Sequence, residues 1–440
     1  MTRLVPRATH IVLGVAWLAC AAAATRAEAQ SAAHWGRVSF NAQGATTSQT
    51  GGATGSFGEI VSSITFQSPT TDAAATGFGL DLRVSGYPMT EDRSARTSVY
   101  EAYVARRVGG HLVVKAGQLF IADLGALGAV GGVLVESRGP KTAAGQLRFG
   151  AFGGWEPQIM KAGWLNDVRK IGGYLAIDTD GARRHVVGFV HVADQGTTER
   201  AVISTTNYLA YKSRLFVYQA AEIDLVGPAG QGHGGLTYFF ANVRGAFSET
   251  IELQGTMHRG RSVDTRTIVD QWLQGRPIEQ RSLDGLVYES YNGRLTVRPV
   301  KALRVYAGYG IDRNNRDDES AGRLLLGAFA SNVFRSGVDV TVTDNRMQRG
   351  TMSYDSWYVS VGRSVGSKAY LTGEYSTYLS TLHVTNPSDF TIESRPRTNR
   401  IGVSGLFNVT RRVSLVTTIE RTKDGTSTET RAFGGFTLRF

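Results

Sequence analysis

The chain has 440 residues, with 48 Lys and Arg against 37 Asp and Glu, a formal net charge of +11 and one cysteine. A single cysteine excludes a disulfide framework and cysteine-held zinc or iron–sulfur centres. Beyond the N-terminus no apolar run approaches the roughly 18 residues a helical span requires, which excludes a helical inner-membrane protein.

Met1 to Ala29 has the layout of an export signal. Arg3 and Arg7 precede an uncharged run from Ile11 to Ala24, too short to span a bilayer, and Ala27-Glu28-Ala29 supplies an A-x-A cleavage site. The mature protein is expected to begin at Gln30 and to contain no cysteine, because the only one is Cys20. Lipidation at Cys20 is the competing processing, but Trp17-Leu18-Ala19-Cys20 fits a lipobox poorly.

From Trp35 onward, segments of about 10 to 13 residues alternate apolar with polar or small side chains, as strands with one face on lipid and one on water do. In Phe78 to Gly86, Phe78, Leu80, Leu82 and Val84 oppose Gly79, Asp81, Arg83 and Ser85. Thr250 to His258, Leu303 to Asp312, Ile401 to Val409 and Val413 to Glu420 repeat the pattern. No linker, charge block or change of texture divides the chain, and 53 Gly, 17 Tyr and 19 Phe are spread throughout.

The breaks between segments come in two lengths. Arg107–Gly110, Thr179–Ala182, Tyr211–Ser213, Phe247–Glu249, Pro299–Ala302, Phe334–Ser336, Val365–Ser367 and Thr410–Arg412 are tight, as periplasmic turns are. Thr46–Gly55, Ile121–Val130, Trp155–Arg169, Ser262–Gly285, Asn314–Ser320 and Leu382–Arg397 are longer or more polar. With both termini on one side the strand number is even, so an even number must lie between the turns at Val108 and Thr179. Gly132 to Arg138 (GVLVESR) is the strand that restores parity, followed by a turn at Gly139-Pro140-Lys141-Thr142. The fold expected is all-β: one closed antiparallel barrel over residues 30–440, of about 22 strands (roughly 20 to 24), without a plug domain.

The last stretch, Glu429 to Phe440 (ETRAFGGFTLRF), sets Thr430, Ala432, Gly434, Phe436, Leu438 and Phe440 on one face and Glu429, Arg431, Gly435, Thr437 and Arg439 on the other. It resembles the closing strand of Gram-negative outer-membrane β-barrels, porins among them. That resemblance implies an assembly signal at Phe436, Leu438 and Phe440, read by the barrel-assembly machinery, and a location among outer-membrane lipid and lipopolysaccharide. A secreted sandwich or propeller is the competing architecture. Against it stand apolar outward faces on nearly every segment, the absence of a blade repeat, and aromatics near strand ends at Tyr87, Trp155, Tyr211, Phe334, Trp357 and Phe440.

Alternation directs a set of charges inward: Arg83, Lys115, Arg148, Arg244, Arg294, Arg304, Arg400 and Arg431, with Asp81, Glu101, Glu252, Asp339, Glu374 and Glu420. They either line a path for solutes or cross-pair to stiffen a wet wall, where each pair contributes little. Setting aside three Arg and one Glu of the export signal leaves the mature chain basic by about nine charges. Much of that excess lies near the short turns, at Arg106, Arg107, Lys212, Arg214, Arg298, Lys301, Lys368, Arg411 and Arg412, facing lipid phosphate. Charges so dispersed do not fit nucleic-acid binding.

An enzyme is not indicated. None of the seven mature histidines (His34, His111, His185, His191, His233, His258, His383) has Ser two residues on, as the barrel phospholipases require; His383-Val384-Thr385 comes nearest. Asp317-Asp318 is half of what an omptin-like rim site needs. His185 and His191 share a strand face but lie about 20 Å apart along it, too far for a common metal. No cofactor or metal is expected.

A ring of 22 strands matches the TonB-dependent transporters in size, but those precede the barrel with a long plug, and here strands begin just after Gln30. So wide a lumen needs an occupant. Loops folding inward are one candidate: Phe120–Gly132, Trp155–Lys170 and Ser262–Leu283, the last carrying Arg266, Asp270, Arg276, Glu279 and Arg281 as a constriction of mixed charge. A partner is the other: a multihaem cytochrome, a polysaccharide or a lipoprotein. The function expected is a porin-like channel for passive or facilitated diffusion of small hydrophilic solutes. The alternative is a sheath or export barrel around such a partner, with a rim enzyme or adhesin behind it.

Overall fold

The computed structural model describes residues 34–70, 75–89, 93–158, 161–179, 181–227, 229, 234–316, 319–349, 352–385, 391–394 and 396–440. The export signal with Cys20, His233, Asp317, Asp318 and the side chain of His383 lie outside the described residues.

Alternating sequence becomes strand almost everywhere. The first half comprises β1 (Trp35–Gln49), β2 (Thr54–Ser68), β3 (Thr76–Gly86), β4 (Arg96–Val108), β5 (Leu112–Phe120), β6 (Ala129–Thr142), β7 (Gly145–Pro157), β8 (Trp164–Thr179), β9 (Arg183–Asp194), β10 (Thr197–Tyr211) and β11 (Leu215–Val226). The second comprises β12 (Gly235–Ala246), β13 (Ile251–Ser262), β14 (Leu286–Val300), β15 (Leu303–Asn314), β16 (Ala321–Val333), β17 (Val338–Arg349), β18 (Met352–Val365), β19 (Ala369–Thr385), β20 (Thr391–Ser394), β21 (Arg397–Asn408), β22 (Val413–Lys423) and β23 (Ser427–Arg439).

Each strand pairs antiparallel with its neighbours in sequence, and β1 pairs with β23 from Arg37 opposite Arg439 to Gln49 opposite Ser427. The sheet therefore closes and has no free edge. The short β20 extends the track of β21 along β19, so 23 segments make 22 staves.

The outer face is apolar and bare. Ile171, Val187, Ile401, Val403 and Ile419 are each more than half exposed. A soluble sheet would hide these, whereas a wall facing hydrocarbon displays them. Such a surface on a closed ring, its strands paired with neighbours on both sides, is that of an outer-membrane barrel.

The seam joins the first and last strands through the same face. Gly36 N–H donates to the Phe440 carbonyl at 2.7 Å, and Phe440 N–H returns a bond to Gly36 at 3.0 Å. The Phe440 ring lies where a Cβ on Gly36 would be, so glycine is required there. Phe436 stacks on Phe40 (5.9 Å between centroids), and Phe440 on Phe66 (6.1 Å), which stacks on Phe78 (5.1 Å).

The eight tight turns fall where the alternation places them, all on the side of the termini, and GVLVESR is the core of β6. Three loop expectations need correction. Thr46–Gly55 is no long loop: the β1–β2 ladder runs to Ser48 opposite Thr54 and leaves only residues 50–53 to turn. Trp155–Arg169 shortens to residues 158–163, because both flanking strands continue upward and Trp155 stacks on Trp164 (6.2 Å). Gly139–Thr142 is not the turn after GVLVESR: β6 runs on to Thr142 opposite Gly145 and leaves residues 143–144 to turn.

Candidate permeation pathway

The inner wall is a mesh of ion pairs, hydrogen bonds and cation–ring contacts. Going round from β2, Arg83 faces Glu59 (4.0 Å), Glu101 accepts from Gln67 (3.3 Å), and Lys115 lies over the Tyr103 ring (5.1 Å). Asp81 stands opposite Glu101 in the ladder. Arg244 faces Glu252 at 3.7 Å, Arg294 donates to Gln254 at 2.6 Å, and Arg304 lies 5.9 Å from the Phe329 ring. Asp339 accepts from the Tyr370 hydroxyl at 3.3 Å, and Glu374 stands between Ser360 and Gly402. Glu420 closes the circuit between Arg400 (2.6 Å) and Arg431 (3.7 Å).

Around β6 to β10 the wall differs. The expectation that inward side chains are polar or glycine fails there: Val168, Val186, Val190, Val192 and Val202 face inward and are buried in one cluster with Leu134 and Phe152. The cause is the segment after β5. A 3-10 turn, Ala122–Gly128, folds into the lumen and buries Ile121, Leu124 and Leu127 on those valines. Leu124 occupies the space a Cβ on Gly188 would need. Charge fixes the same turn: Arg148 holds both oxygens of Asp123 (3.0 and 3.2 Å), and Arg184 donates to it as well. Arg148 also reaches Glu136 (3.2 Å), which accepts from the Tyr174 hydroxyl.

The connection from β13 to β14 brings a second element inward. Its helix Thr265–Leu273 is capped by Asp264, whose side chain accepts from Thr267 N–H at 3.1 Å. The Thr267 hydrogen bonds, side chain first and backbone second, hold the Asp264 carboxyl below its usual range. The helix packs on β10 and buries Ile268 and Val269. Thr265 donates to Glu199 at 2.6 Å, while Arg266 donates to Glu156 on β7 at 3.0 Å and lies 3.8 Å from Glu199 on β10. Burial opposes the charge of Arg266, but the hydrogen bond and charge of Glu156 hold its guanidinium above the ordinary value.

Between these two elements lies a cavity of about 650 Å³, lined among others by Glu199, Arg200, Ser204, Tyr218, Glu222 and Tyr238. Arg200 is spoken for by Asp224 (2.7 Å) and Glu222 (3.2 Å). The Ser204 hydroxyl is buried without a partner and borders the cavity.

Of the five loop residues singled out from sequence, Arg266 and Asp270 are half-buried near the wall, whereas Arg276, Glu279 and Arg281 are exposed. Among the described residues of Trp155–Lys170, Trp164 lies over Gly131 beside Trp155 on the outer face, and Lys170 turns inward and donates to the Ala129 carbonyl at 3.1 Å. Sequence reasoning passed over Asp123, Glu136, Lys170, Arg184, Arg200, Glu222 and Asp224. Glu136 was within reach, since it alternates with Val133 and Val135 in β6. Glu222 was too, since it shares a row with Tyr218 and Ala220 in β11; Arg200 was not, because Glu199 is an extra residue of β10 against β9 and breaks the alternation from Thr197. His185 and His191 bond Asn207 (2.9 Å) and Thr198 (3.2 Å), respectively, each within its own strand pair.

No family model and no curated protein matches this chain. Among solved structures it is similar to OpdQ of Pseudomonas aeruginosa (10% identity over 92% of this chain and 98% of that one, TM-score 0.44). OpdL of Pseudomonas aeruginosa gives 8% identity, coverages of 93% and 99%, and a TM-score of 0.45. The translocation pore of the P pilus usher PapC gives 11%, 91% and 99%, and 0.46. The architecture itself rests on the strand pairing of this chain, which closes the ring between β1 and β23.

Proposed function

We propose that this protein is an outer-membrane channel through which small hydrophilic solutes diffuse, narrowed from one side by two loops that dock inside the barrel. The observation that carries this reading is the lumen's two-part surface. From β11 round through β23 to β4 the inward rows carry the charges named above, with amides, glycines and a few rings such as Phe240 and Phe329 between them, while β5 to β10 are covered by the turn at Ala122–Gly128 and the helix at Thr265–Leu273. Twenty-two strands spaced about 4.8 Å apart and tilted about 40° enclose a backbone diameter of about 40 Å, wide enough that docked loops leave a path.

The charges Arg83, Lys115, Arg244, Arg294, Arg304, Arg400 and Arg431, with Asp81, Glu101, Glu252, Asp339, Glu374 and Glu420, line that path, and Arg148 anchors the first loop. Arg266 and Asp270 serve the second. Cleavage after Ala29 accompanies export across the inner membrane, and assembly follows recognition of Phe436, Leu438 and Phe440 by the barrel-assembly machinery. The mass of the protein isolated from outer membranes tests the cleavage. The purified barrel in planar lipid bilayers tests the function: discrete, long-lived conductance steps are expected. Electrical silence with co-purified polysaccharide, cytochrome or lipoprotein would replace the channel by a sheath.

A further inference from the structure

The outer wall between β12 and β15 departs from the smooth apolar band around it. Gly255 on β13 stands opposite Gly293 on β14, and Gly293 opposite Tyr309 on β15. A Cβ on either glycine would meet nothing within 4 Å, so their surfaces form the open floor of a groove. Its walls are Val243, Met257, Tyr291, Tyr309 and Ile311, all on the lipid-facing side.

Four residues further along the same strands, towards the rim that bears the long connections, the chemistry changes. Arg259, Glu289 and Arg313 stand in one register row on that same outer face. Glu289 is buried beneath two guanidiniums, 2.6 Å from Arg259 and 2.5 Å from Arg313. Arg313 also lies 5.7 Å from the Tyr291 ring. Two arginines against one carboxylate leave a net positive charge, and several N–H donors remain unused; Nε of Arg259 is buried with no partner.

From this arrangement we infer a binding site for a phosphorylated glycolipid of the outer leaflet, with acyl chain along the glycine-floored groove and phosphate on Arg259 and Arg313. Four residues of strand span about 13 Å, the separation of a headgroup phosphate from the upper part of its chain. Arginine suits phosphate because its fork donates two bonds at once. Glu289 holds both guanidiniums beside one carboxylate, instead of letting them swing apart. The inference rests on the chain spanning the outer membrane, and it is independent of whether the lumen conducts.

The test uses the full-length barrel purified in a neutral detergent, with lipid A carrying two phosphates as probe and native mass spectrometry as readout. One lipid A per chain is expected, bound about tenfold more tightly than phosphatidylglycerol or lipid A with one phosphate. R259Q/R313Q and, separately, G255L/G293L each weaken binding about tenfold or more, the second pair by filling the groove from its floor. Heat-modifiable migration and bilayer conductance, unchanged in both pairs, show that the barrel and its lumen are intact. Variants that bind lipid A as wild type does, or equal binding of phosphatidylglycerol, overturn the site. So does a chain–chain adduct abolished by G255L/G293L, which would make the groove an interface between copies.

Discussion

Removing the Asp123 carboxylate, as in Asp123→Ala, should release the first loop from the wall. Docking of the eight residues from Ile121 to Gly128 is a near balance. Burying Ile121, Leu124 and Leu127 contributes about 7 kcal/mol. The three charge-assisted bonds of Asp123 to Arg148 and Arg184 contribute about 6 kcal/mol. Ordering eight residues costs about 12 kcal/mol, which leaves the docked state favoured by about 1 kcal/mol. Losing even half of the ionic contribution shifts the equilibrium about a hundredfold towards the undocked loop. Two readouts follow: hydrogen exchange across Ile121–Gly128, where the Ile121 amide is held by the Gly128 carbonyl at 2.9 Å, and single-channel conductance. Protection should fall and conductance rise. Gly188→Leu, which takes the space of the Leu124 side chain and changes no charge, should do the same. If both variants keep wild-type protection and conductance, the loop is held by something other than this anchor and this pocket, and the account is refuted.

Glu420→Gln should turn the channel towards anions, because Arg400 then faces the lumen unopposed while Arg431 keeps only Glu429 (2.9 Å); reversal potentials in a salt gradient measure it, and an unchanged potential would remove Arg400 from the path. Arg266→Gln breaks the tie of the second loop to Glu156, so conductance noise should increase, with no change in barrel melting. Phe440→Ala leaves Gly36 uncovered and Phe66 with Phe78 as its one stacking partner, a loss of about 1 kcal/mol at the seam; lower yield of assembled protein in outer membranes, with normal synthesis, is the expected result. Asp424 caps the β22–β23 turn, and the backbone bond from Thr426 and the bonds from Ser427 hold its carboxyl down to about 2, from 3.8. Because the folded value lies below the unfolded one, this cap is complete above about pH 4 and lost as pH falls through about 2. The amide resonances of Thr426 and Ser427 should titrate with that midpoint, and Asp424→Asn should abolish the titration.

Period-two alternation determined the barrel. The lipid-facing row must be apolar on every strand, so each strand announces its facing locally, as Phe78, Leu80, Leu82 and Val84 do, and the parity of tight turns then counts the staves. The closing strand was equally legible, since Phe436, Leu438 and Phe440 sit on one face whatever they touch. Tertiary structure alone decided what enters the lumen. Nothing local in FIADLGALGAVGG says whether its leucines seek lipid, solvent or an inner wall; the answer lies in Gly188 and the valines of β8 to β10, which only ring closure brings beside it. The extra residues Glu199 in β10 and Thr237 in β12 were hidden for the same reason, because a bulge is a relation between two strands and leaves no fixed mark on either. What depends on one strand's own pattern could be read from the chain, and what depends on the distance between strands far apart in sequence could not.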